Sequence, residues 1–157
     1  TIGLVPAACG GSKIALWEPG VYFDKTDSYP YDDAITRTRR AMQDGPLRGI
    51  LWHQGESDSS PEKAKVYKDK LISLVERLRT DLDAPEVPFI IGQLGQFEGK
   101  PWKDARFKID QAHTEAAEEV PFAAFVSASG LTSKEACTNL TLRSDNGSQP
   151  CSKAFVE

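Results

Sequence analysis

Cysteine, histidine and methionine are all scarce in this chain of 157 residues, and the first two scarcities each argue against a class of protein. Three cysteines, Cys9, Cys137 and Cys151, are too few for a disulfide framework. Two histidines, His53 and His113, with no CxxC and no HExxH pattern, argue against a bound metal, and no cofactor is expected. The dinucleotide fingerprint is missing. GGSK is not a Walker A loop, which needs an earlier glycine and a lysine ahead of the serine. Long apolar runs are absent too; AAFV at 123–126 is far short of a bilayer span. Positive charge is not in excess: 19 Lys and Arg against 23 Asp and Glu leave a net −4, which argues against nucleic acid or an anionic membrane as partner. No signal peptide is visible. The only methionine is Met42, so a chain opening at Thr1 reads as a mature or excised piece. Pairing of Cys137 with Cys151 and the sequons at Asn139 and Asn146 would fit secretion; compartment and oligomeric state stay open.

What is present is ordinary globular material, 39% hydrophobic and 27% charged, enough for one domain. Four apolar strand-like runs, Ile2–Ala8, Leu47–Trp52, Val87–Gly92 and Phe122–Val126, alternate with helical patterns. Over 31–43, Ala34, Ile35, Thr38, Ala41 and Met42 share one helical face before Gly45-Pro46. Ser60 and Pro61 open a second helix, whose stripe runs Ala64, Tyr67, Leu71, Leu74, Val75, Leu78 and Leu82. A third spans 103–119, with Phe107, Ala112, Ala116 and Ala117 expected inside and His113 expected on the surface. This alternation predicts a mainly parallel sheet with helices on both faces. Residues 135–157 are polar and aperiodic, and read as a loop-like tail behind a domain of residues 1–134.

Two polar loops carry the candidate chemistry. Cys9-Gly10-Gly11-Ser12 follows the first strand and His53-Gln54-Gly55-Glu56 the second, so a parallel sheet brings both to one edge. A Gly-Gly turn exposes backbone N–H groups, and Gln54 adds uncharged amide donors. Acyl transfer needs such donors around a developing oxyanion, where each is worth about 3–4 kcal/mol of barrier. The plainer readings stand beside this one. The glycines alone make a tight turn, and Gln54 alone satisfies a buried backbone group. Glu56 and Asp58 read as loop buttresses, Cys9 as a packed residue, and Trp17 and Trp52 as core or pocket wall.

Taken together, IGLVPAACGGSKIALWEPG, GILWHQGESD and VPFIIGQLGQF resemble the sialate O-acetylesterase and carbohydrate esterase family six group of the SGNH (GDSL-like) hydrolases. The resemblance covers about Thr1 to Lys134. It implies a three-layer α/β/α fold and hydrolysis of acetyl esters on carbohydrates without a metal. Gly10, with Gly11 beside it, and Gln54 match the oxyanion positions; His53, Gly55 and Glu56 match the rest of that loop. Trp17 and Trp102 are candidates for stacking against a sugar. The family's serine turn and its late Asp-x-x-His have no counterpart here, and Ser144-Asp145-Asn146 is followed by serine at 148. Its serine-bearing strand is central, beside the strand that precedes the glycine block. The expectation is therefore a fragment that supplies the oxyanion side of an ester hydrolase, or a non-catalytic sugar-binding remnant, its tail divergent or shifted in reading frame.

Overall fold

Leu47–Trp52 (β2) and Phe89–Gly92 (β3) are the most deeply placed strands, because the β-branched and aromatic side chains Ile50, Trp52, Phe89 and Ile91 are buried under helices. The computed structural model describes residues 2–96 and 101–130, together with the backbone of 153–156. β3 pairs in parallel with β2 on one side and with Ala123–Val126 (β4) on the other. Gly3–Pro6 (β1) lies beyond β2 but does not touch it in the sheet. Lys153–Val156 (β5) occupies the place between them, antiparallel to both, giving the order β1-β5-β2-β3-β4. A register shift between Leu47 and Gly49 marks the β5–β2 ladder.

Three helices make the crossovers. Pro30–Ala41 (α1) has proline at its start, Asp32 and Asp33 in its first turn and Arg39 and Arg40 in its last, all matched to the helix dipole. The second helical pattern is split into Pro61–Ala64 (α2) and Tyr67–Asp81 (α3). Ser60 holds the cap position of α2 without a side-chain capping bond. Asp104–Glu119 (α4) is the third. The strands progress in one direction across the sheet, so crossovers of the usual right hand put every helix on the same face. The packing agrees: Tyr31 of α1 donates to Asp81 of α3 at 2.5 Å, and Lys68 of α3 reaches Glu119 of α4 at 2.6 Å. The described residues thus form part of the expected layered α/β/α fold, and Leu4 and Val126 on the strands are 50% and 52% exposed.

Three expectations change. His113 is wholly buried rather than on the surface, because it falls on the stripe Ala105, Ile109, Ala112, Ala116 that faces α3. Phe107 falls off that stripe and is 55% exposed, edge-on to Trp102. The tail is not all loop, since KAFV at its end joins the sheet. Residues 131–152, with Cys137, Cys151 and both sequons, lie outside the described residues.

Candidate active site

The loop after β1 is closed by Ser12 N donating to Cys9 O at 3.2 Å. Gly11 stands at the third position of this turn with φ 77°, a conformation that favours glycine. A Cβ there would also meet Lys25 Nζ at 2.9 Å. Among the described residues, the N–H groups of Gly10 and Gly11 have no hydrogen-bond acceptor.

The loop after β2 needs its glycine for a harder reason. Gly55 has φ 151°, and a Cβ there would sit 2.6 Å from Ile109 Cγ2 and 3.1 Å from Leu94 Cδ1. That close approach lets Gln54 turn inward, where it is 8% exposed. Its Nε2 donates to Ser12 O at 3.0 Å and to Asp58 Oδ2 at 2.7 Å. The same Asp58 oxygen accepts Ile14 N–H at 2.9 Å, and Ser57 Oγ donates to Gly11 O at 3.1 Å. Three cross-links thus stitch the two loops together, with the buried Asp58 as their charged centre. On the other side of Gln54, the Tyr67 hydroxyl lies 2.9 Å from both its backbone O and its Oε1.

Between the loops lies a cavity of about 160 Å³, walled by Cys9–Ser12 on one side, by His53, Gln54, Glu56 and Ser57 on the other, and by Trp17 behind. Pockets that enclose a whole small molecule run to about 300–1,000 Å³. This one is smaller than that range. His53 is held at its Nε2, 3.1 Å from Gln93 O at the end of β3. Trp17 is 4% exposed, bonds Ser12 Oγ through its Nε1 at 3.0 Å, and packs edge-on to Trp52. Trp102 does not line this cavity; its Nε1 donates to Gly95 O at 3.1 Å. Cys9 Sγ rests 3.5 Å from Ser28 Oγ. Among the described residues no cluster of three metal-ligating side chains forms, and no serine is hydrogen-bonded to a histidine.

Asp58 lies where the sequence leads one to expect a loop buttress, whereas Tyr67, expected only as part of a helical stripe, and His113, expected on the surface, both lie behind Gln54. His113 Nε2 lies 3.1 Å from the Tyr67 hydroxyl, which also faces Trp52 Nε1 at 3.3 Å. Burial lowers the His113 pKa from 6.5 to about 4, against a smaller raising effect from the Gln54 carbonyl, and burial raises that of Tyr67. The signal for His113 was its position between Ile109 and Ala116 on the helix period.

A parallel-sheet α/β protein with a donor-rich cavity at the carboxyl ends of β1 and β2 is the class that fold and site define. Residues 1–147 match the model of the carbohydrate esterase, sialic acid-specific acetylesterase family, and the chain belongs to that family. It is 37% identical over 91 residues to a probable carbohydrate esterase of Arabidopsis thaliana, covering 57% of this chain and 32% of that one. It is 27% identical over 113 residues to a probable 9-O-acetyl-N-acetylneuraminic acid deacetylase of Escherichia coli (strain K12), covering 63% and 33%. An Arabidopsis thaliana protein of known crystal structure superposes with a TM-score of 0.65 at 28% identity, over 84% of this chain and 50% of that one. A carbohydrate acetylesterase from Xanthomonas citri shares the fold at TM-score 0.59 and 20% identity, over 75% and 28%. The chain therefore spans about a third of the length of the two relatives aligned by sequence.

Proposed function

We propose that this chain forms the oxyanion side of a serine-type esterase that removes acetyl groups from carbohydrates. The observation that carries the reading is the meeting of two donor-bearing loops on one small cavity, joined by the Gln54–Ser12 bond of 3.0 Å. In the reaction a serine oxygen adds to the acetyl carbonyl, the C=O electrons move onto oxygen, and the sugar alcohol departs with a proton. Water then attacks the acyl-enzyme and releases acetate. The N–H groups of Gly10 and Gly11, without an acceptor among the described residues, are the donors ready for the tetrahedral oxygen. Gln54 joins them by giving up Ser12 O, since its shorter bond to the Asp58 carboxylate is charge-assisted and the last to yield. Serine and histidine come from polypeptide other than the described residues. Glu56, exposed at the cavity mouth, and His53 shape the approach of the substrate.

A chromogenic acetyl ester tests this with the 157-residue chain alone and with a longer protein that carries it. The chain alone is expected to turn over negligibly. In the longer protein, Gln54→Ala should lower kcat by about 100-fold with little change in KM, as loss of an oxyanion donor does. A rise in KM alone would make Gln54 a binding residue. Hydrolysis by the chain alone that Gln54→Ala abolishes would place the nucleophile within it.

A further inference from the structure

The mechanism uses neither Tyr67 nor His113, yet both are fully buried directly behind Gln54. Four polar atoms surround the Tyr67 hydroxyl: Trp52 Nε1, His113 Nε2 and the two oxygens of Gln54. A phenol has one proton to give and two lone pairs to fill. The indole only donates, so Trp52 takes one lone pair. The position of the His113 proton decides the rest. With the proton on Nδ1, the imidazole Nε2 would compete with Gln54 for the single phenolic proton. The Nδ1–H would then be buried without a partner, for among the described residues that atom has none. With the proton on Nε2, His113 fills the second lone pair, the phenolic proton is free for Gln54, and the unmet group is only an acceptor nitrogen. An orphaned buried N–H is the rarer and costlier fault.

We propose that His113 and Tyr67 are positioning residues for the acyl site: the Nε2–H of His113 bonds Tyr67, which commits the phenolic proton to Gln54 and fixes which way its amide faces. Held so, Oε1 points at Tyr67 and the NH₂ group points at Ser12 and Asp58. A flipped amide would set Oε1 against the Ser12 carbonyl and the Asp58 carboxylate, acceptor against acceptor. The inference rests on assigning Gln54 to the acyl site, but its readouts do not depend on hydrolysis, so the two fail separately.

The test is nitrogen-15 NMR of the whole chain. Long-range proton–nitrogen correlations of the His113 ring at neutral pH should show hydrogen on Nε2 only. Hydrogen on Nδ1, or on both nitrogens, overturns the proposal, and this measurement needs no variant. Tyr67→Phe keeps the ring and removes the hydroxyl. Exchange of the Gln54 side-chain amide protons should then accelerate at least about tenfold while main-chain amides of Leu71–Leu78 keep their protection. Unchanged Gln54 signals overturn the proposal. His113→Gln restores a donor and should keep the Gln54 signature that His113→Leu loses. Loss in both variants, or in neither, also overturns it.

Discussion

Gly55 is the residue on which the geometry of the second loop depends. Its φ of 151° and its 2.6 Å approach to Ile109 leave no room for a methyl group. Gly55→Ala should cost roughly 1–3 kcal/mol through overpacking, with added backbone strain, read as a drop in the urea midpoint at constant slope. His113 gives a second prediction at this scale. It stays neutral in the fold down to about pH 4, whereas the unfolded chain protonates it near 6.5. Between those values the unfolded state binds more protons, so stability falls as pH falls, by about 3 kcal/mol in total from this group, and the contribution is complete above the upper value. His113→Phe should flatten that part of the stability–pH curve in denaturant titrations. An equal slope in both proteins would show that His113 does not carry it. Gln54 and the glycine pair were legible in the sequence because their residue types are unusual directly after apolar strands. His113 was not, because an ionisable side chain is usually exposed and its place in the buried stripe is set by the helix period alone.

At the scale of elements, the long helical stripe from Ala64 to Leu82 was legible residue by residue, and every member of it is buried. Periodicity could not reveal the break between α2 and α3, because the apolar spacing continues across it. β5 was invisible for another reason. Four residues are too few to establish a period of two, and nothing local in KAFV announces that a sheet position stands open for it. Its role can be measured. A chain ending before Lys153 loses both ladders that flank β5, so the amides of Gly3–Pro6 should lose exchange protection while β3 and α3 keep theirs. Protection retained in β1 would mean that β5 does not hold it.

For the whole molecule, the decisive feature is that α1, α3 and α4 share one face of the sheet. Strand and helix alternation predicted a layered α/β protein, and the mainly parallel character of β2, β3 and β4 follows it. Which face a helix covers depends on strand order, and strand order leaves no mark on local sequence. Leu4 and Val126 are consequently exposed apolar side chains on strands of the sheet. Replacing both with lysine should weaken binding of a hydrophobic dye and any self-association in sedimentation, with little change in stability. A large loss of stability would mean that these side chains are packed.

The ladder that places Gly3 opposite Val156 joins segments roughly 150 positions apart in the chain. A nucleus built from β2, α3 and β3 closes only short loops, whereas β1 must wait for β5 before it has a partner. The glycine turn that follows β1 is thus expected to gain exchange protection after β3 and α3 when refolding is followed by pulsed hydrogen exchange; simultaneous protection would overturn this order.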